Sequence, residues 1–166
     1  MKRIIGFISI VLVAGAFYWL TRPCLCIYGG SDKLVMTQVA KANMQLKISF
    51  IHSVQKTKVE EYLVVDDDLQ GFTLESTHYH SFGVGLPFME SDGNFRREGD
   101  TFIMENMNRQ FSELNLRTGV GTELTVTVDE HSYRLYEKFA AGEKIDIKLL
   151  PKYKIMTVHN IGGMFE

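Results

Sequence analysis

With 166 residues, a formal charge of −2 and 45% hydrophobic residues, the chain has length for one domain of ordinary size and no basic excess. The only basic doublet beyond the N-terminus, Arg96-Arg97, runs straight into Glu98 and Asp100, so the sustained basic patch that nucleic-acid binding needs is missing. Two cysteines, Cys24 and Cys26, exclude a domain stapled by several disulfides.

Lys2 and Arg3 precede an apolar run from Ile4 to Leu20, which Arg22 and Pro23 close. As a helix rising ~1.5 Å per residue this run reaches roughly 25 Å. The hydrocarbon core of a bilayer is ~30 Å thick, and snorkelling cations at both ends ease a short span. Phe17, Tyr18 and Trp19 cluster at the far end, as an interfacial aromatic belt does. The expectation is a single-pass helix with the N-terminus inside and the remaining chain outside the cell membrane. Ala14-Gly15-Ala16 also has the small-residue pattern of signal cleavage, which would leave a secreted domain. Lipidation at Cys24 is a third reading, disfavoured by the preceding Arg22 and Pro23. All three place the domain outside the cytoplasm.

The expected division is an anchor over 1–22, a juxtamembrane linker over 23–33 and an extracytoplasmic domain over 34–166. Gly29-Gly30-Ser31-Asp32 reads as flexible linker. Cys24 and Cys26 read as idle thiols at the membrane edge, with an intermolecular disulfide or acylation as the sharper alternative.

The rest reads as strands. Leu46, Ile48 and Phe50 alternate with Lys47 and Ser49; Val59, Glu61, Leu63 and Val65 alternate with Glu60, Tyr62 and Val64. Period-two alternation predicts one face in a core and one in water. Strands are expected over 44–51, 58–65, 71–75, 124–129, 133–139, 145–149 and 153–159, with shorter ones over 34–40, 101–105 and 111–116. The polar stretch 92–100 reads as a hairpin turn with a charged tip. The fold class is all-β: an antiparallel β-sandwich or small barrel preceded by one N-terminal transmembrane helix.

His52 continues the inward phase of β-residues 46, 48 and 50, and Glu61 lies inward on the next strand. They either satisfy each other as a structural pair or rim a ligand site. His78 and His80 share a strand face, but no third metal ligand is evident, and no metal or cofactor is expected. Ser81-Phe82-Gly83-Val84-Gly85-Leu86-Pro87 is glycine-rich yet lacks the Gly-Lys-Ser/Thr of a phosphate loop. Its apolar residues suit a ligand wall or partner surface. Arg117, ahead of Gly119-Val120-Gly121, could clamp a carboxylate or bridge to Glu60 or Glu61. No nucleophile elbow, zincin motif or dinucleotide fingerprint is present, so no enzyme is expected.

The stretch His52-Ser53-Val54-Gln55-Lys56-Thr57-Lys58-Val59-Glu60-Glu61 resembles the signature of the bacterial family called domain of unknown function 1850. Gly71-Phe72, Glu75-Ser76, Ser81 to Pro87 and Arg117-Thr118-Gly119 fit the same family, which covers most of the chain from about residue 34. The family often places a proline after the threonine of the first motif, where Lys58 stands here. The resemblance implies a small membrane-anchored or exported protein whose gene neighbours tend to encode tripartite ATP-independent periplasmic transporters with a TAXI-type receptor. It therefore implies an accessory role in solute uptake, with a permease or substrate receptor as partner. It carries over no catalytic residue. The candidate ligand- or partner-binding set is His52, Ser53, Thr57, Glu61, Ser81, Phe82, Gly83, Gly85, Pro87 and Arg117. A stand-alone small-ligand-binding β-barrel is the alternative; a hydrolase with an unrecognised site is the third reading.

Overall fold

The protein is described from a computed structural model that covers residues 2–81 and 89–156, the side chains of 2–5 and 90 excepted. Helix α1 (Lys2–Thr21) leads at once into strand β1 (Pro23–Gly29). Ten further strands follow: β2 (Lys33–Val39), β3 (Gln45–Ile51), β4 (Lys58–Val65), β5 (Phe72–Tyr79), β6 (Asn94–Glu98), β7 (Thr101–Phe111), β8 (Glu113–Arg117), β9 (Thr125–Val128), β10 (His131–Arg134) and β11 (Lys144–Pro151). They form a four-stranded sheet, β2-β1-β11-β8, and a seven-stranded sheet, β10-β9-β3-β4-β5-β7-β6. Every pairing is antiparallel.

The alternation read in the sequence produces this sandwich directly. Leu46 and Ile48 of β3, Leu63 and Val65 of β4, Phe72 and Leu74 of β5 and Val126 and Val128 of β9 come from the large sheet. They pack on Leu25, Ile27, Met36, Leu114, Ile145 and Ile147 of the small one. Each buried side chain of this size contributes roughly 1.5–3 kcal/mol. The space between the sheets is thus filled by apolar groups rather than left as a lumen, and the sandwich, not the barrel, is the architecture.

Four segments differ from expectation. Residues 23–29, expected as linker, are the central strand β1, paired to β2 on one side and β11 on the other. Both of its faces are covered. Leu25 and Ile27 enter the core, while Cys24, Cys26 and Tyr28 on the outer face pack with Ile155. Gly29 ends β1, and Gly30 to Asp32 form the turn to β2. The two thiols are free and buried, so neither is presented for a disulfide between chains or for acylation. Burial raises both thiol pKa values, against the thiolate that such reactions need.

Residues 94–98 form an edge strand, β6, every residue of which is exposed. Only its turn at Gly99-Asp100 matches the hairpin tip. Residues 153–156, expected to begin a strand, lie in a helical turn over 152–156 that buries Ile155 and exposes Tyr153, Lys154 and Met156. The remainder of that expected strand lies outside the described residues. Finally, the strand expected over 133–139 gives way after Arg134 to a 3-10 turn (Leu135–Glu137), which inserts Leu135 into the core.

Helix α1 stands clear of the sandwich, with Phe7, Ile10, Leu12, Val13 and Phe17 each about two-thirds exposed. Among the described residues no helix is long and apolar enough to cross a membrane.

Candidate functional site

Strand direction decides where the candidate residues lie. β1 runs away from α1, β2 returns, and β3 runs away again, so the β3–β4 loop lies at the pole remote from α1. Ile51 at the end of β3 donates its N–H to the carbonyl of Thr122 (2.6 Å), which brings the 118–122 turn to the same pole. β5 also ends there, at Tyr79, and Thr57 and Ser81 meet through their hydroxyls at 3.0 Å. The three motif regions around 52–57, 81 and 117–119 therefore share one end of the sandwich.

Within that end the side chains have separate tasks. His52 Nδ1 accepts the backbone N–H groups of Val54 (3.3 Å) and Gln55 (3.2 Å). The His52 carbonyl accepts the N–H of Lys56, which takes the left-handed φ of 55°. Two donors aimed at Nδ1 put the proton of the neutral ring on Nε2. The imidazole is thus built into the hairpin loop by bonds to the loop's own backbone, whereas the structural reading pairs it with Glu61. Replacing His52 with leucine is expected to cost about 1 kcal/mol in urea denaturation, the loss typical of such a bond. Ser53 is exposed in the turn and makes no side-chain hydrogen bond among the described residues.

Glu61 is the unusual member. Directly paired residues share a sheet face, and Glu61 is opposite Ile48 on one side and Thr77 on the other, both buried. Thr77 in turn is opposite Met104. The carboxyl therefore sits on the inner face of the large sheet, in a row with Ile48, Thr77 and Met104. Burial raises its pKa, and the charge of Arg109 opposes that rise. Its neighbour Glu60, on the outer face, is also pushed up by burial, but Lys58 (2.9 Å) and Lys47 (3.3 Å) outweigh that and hold it low. A carboxyl whose pKa is higher folded than unfolded supports the fold fully at low pH and loses that support as pH rises through the folded-state value. Glu61→Gln is accordingly expected to raise the melting temperature at about pH 7 and to leave it unchanged near pH 3, where both states are protonated. Equal melting curves at both pH values would refute the assignment.

Arg117 does not pair with Glu60 or Glu61. Its Nη1 donates to the Gly142 carbonyl (2.8 Å), and buried Thr118 donates to the carbonyls of Ala140 and Glu143. This motif fastens the 140–143 turn. The cation coupled to Glu61 is Arg109, which the sequence reading did not single out. Phe82, Gly83, Gly85 and Pro87 lie outside the described residues.

His78 on β5 and His80 just beyond it meet different partners. His78 pairs its ring with Tyr62 (centroids 4.6 Å apart), while His80 Nδ1 meets the Lys58 carbonyl at 3.1 Å. Among the described residues no group of three potential ligands is gathered. Between β5 and β7 an open polar cleft of about 570 Å³ is lined by Thr73, Glu75, Ser76, His78, Glu105, Asn106 and Asn108. It lies on the outer face, where Glu75 interrupts the β5 register and Asn106 and Asn108 take left-handed φ. Its lining can hydrogen-bond a polar molecule.

With this geometry in view, residues 46–135 match the family described as Domain of unknown function (DUF1850). The chain belongs to that family. No curated protein and no solved structure matches it. The DUF1850 match runs from β3 to the end of β10, the whole large sheet with β8. It contains the His52 loop, Glu61 and Arg117, and leaves α1, β1, β2 and β11 outside.

Proposed function

We propose that this DUF1850 protein is a membrane-held accessory domain of solute uptake, without chemistry of its own, that docks a transporter's soluble substrate receptor through the pole remote from α1. The observation that carries the reading is the placement of α1 and the motif loops at opposite ends of one sandwich. A helix apolar on all sides is at rest inside protein or in lipid. α1 exposes Phe7, Ile8, Ile10, Val11, Leu12 and Val13 together, and the apolar run of the sequence extends from Ile4 to Leu20. Seven residues of β1 at ~3.3 Å each carry the motif pole ~23 Å from the helix end. A soluble receptor reaches that height more readily than a permease embedded in the bilayer. Val54 is 73% and Val120 86% exposed, on loops joined by the Ile51–Thr122 hydrogen bond. They supply adjoining apolar tips for a partner. The link to a transporter rests on the family resemblance.

The test is affinity capture of the full chain from detergent-solubilised membranes. The receptor is expected to co-purify with the wild-type protein and to fall about tenfold with Val54→Asp/Val120→Asp, the loss of roughly 1.4 kcal/mol. Capture of no transporter component would end the uptake proposal. Capture of the permease alone, unaffected by the double substitution, would overturn the choice of pole. A ligand-binding barrel loses its support in the filled core between the sheets.

A further inference from the structure

Three stretches of chain distant in sequence meet at the base of α1. Lys152 donates its N–H to the Arg22 carbonyl (3.1 Å), and Ala40 donates to the Pro23 carbonyl (3.0 Å). Each stretch brings cations: Arg22 from the α1–β1 junction, Lys41 beyond β2, and Lys152 and Lys154 from the helical turn after β11. The chain has 20 acidic residues, and none falls in 18–24, 38–44 or 149–156; the fold brings two carboxylates alongside, Asp67 on Asn43 (3.1 Å) and Asp129 on Gln38 (3.2 Å). Arg22, Lys41 and Lys154 are exposed and have no carboxylate partner among the described residues. Aromatic rings accompany them. Lys152 Nζ lies 3.5 Å from the Trp19 ring centroid, the Arg22 guanidinium carbon 5.6 Å from that of Tyr18, and Tyr153 is 45% exposed.

We propose that this collar of Arg22, Lys41, Lys152 and Lys154 binds the headgroups of anionic phospholipids and seats the sandwich upright on the bilayer. The inference rests on the membrane-held reading of α1 and deepens it by naming the lipid class. Basic side chains next to a spanning helix attract anionic lipid, while tryptophan and tyrosine settle at headgroup level. Here the attraction is fixed in space. Backbone bonds hold all three stretches to one another, so the cations reach the surface as a set.

Trp19 is the chain's single tryptophan and reports on its own surroundings. Full-length protein is placed in lipid discs of phosphatidylcholine with 30% phosphatidylglycerol by design, spin-labelled on one headgroup type or the other. Quenching of Trp19 is expected to be at least about twofold stronger from labelled phosphatidylglycerol, at ~1 kcal/mol per basic residue near the surface. The preference is expected to vanish in Lys41→Glu/Lys154→Glu, which leaves Lys152 on the indole, and to shrink in high salt. Equal quenching by both lipids in discs that retain the protein would overturn the collar and leave the anchor standing. Failure of the wild-type protein to co-elute with discs would overturn both.

Discussion

Ile27→Ala is expected to lower the unfolding free energy by about 2–5 kcal/mol, the range for deleting a buried Ile side chain. Ile27 is fully buried, opposite Ile147 on β11 and Met36 on β2, at the centre of the small sheet. A residue in a solvated linker would give a change within about 0.5 kcal/mol. Urea denaturation therefore separates the two roles of residues 23–29 by a wide margin. The outcome also decides how the helix is attached. A core strand that begins two residues after α1 leaves no slack between helix and domain. A fragment that starts at the turn before β2 would lack the strand on which β2 and β11 both pair, and is expected to be unfolded.

Phe72→Ala is expected to cost about 3–5 kcal/mol by thermal or chemical denaturation. Phe72 is fully buried, paired with Val65 on β4 and Phe111 on β7. The preceding glycine is constrained differently. A β-carbon at Gly71 would stand 2.5 Å from the Phe111 carbonyl oxygen. Backbone cannot swing aside as a side chain can, so Gly71→Ala is expected to cost about 1–3 kcal/mol through overpacking. This Gly-Phe pair belongs to the family pattern, and both effects are structural. If Phe72→Ala left the fold intact and abolished only receptor capture, the pair would instead belong to the docking surface.

Much of the large sheet was legible because its strands have one dry face. β3 and β4 were read nearly to the residue from the alternation of Leu46, Ile48, Leu63 and Val65. β1 was not, for the opposite reason. With core on one side and Ile155 on the other, Cys24 to Tyr28 carry no alternation, and the segment resembles a tail of the anchor. β6 failed because an exposed edge strand, charged against unwanted pairing, looks like a loop. On β5 the bulge at Glu75 shifts the phase, so that Phe72 and Leu74 are followed inward by Thr77 and Tyr79. Period-two reading stopped at the shift, at 75 rather than 79.

The candidate site was legible in the same uneven way. His52 and Thr57 were placed in one hairpin, and the structure adds Ser81 through a hydroxyl pair. The inward phase of Glu61 is evident from its alternation with Val59, Leu63 and Val65. Arg109 carried no signal, since it reaches Glu61's neighbourhood only through the three-residue offset of 106–108 against Glu75. Arg117 looked like an anion clamp because a lone arginine at a strand end resembles one. Its actual acceptor, a backbone carbonyl 25 residues on, is invisible in sequence.

The position of β1 has a consequence for biosynthesis. It is translated well before its partner β11, which arrives more than a hundred residues later. Until then the β1–β2 hairpin offers an open edge, and pairings of such long separation form slowly. A nascent chain caught at that stage is a substrate for chaperones and proteases. Truncations before Lys144 should accordingly be cleared by degradation rather than accumulate as shortened protein.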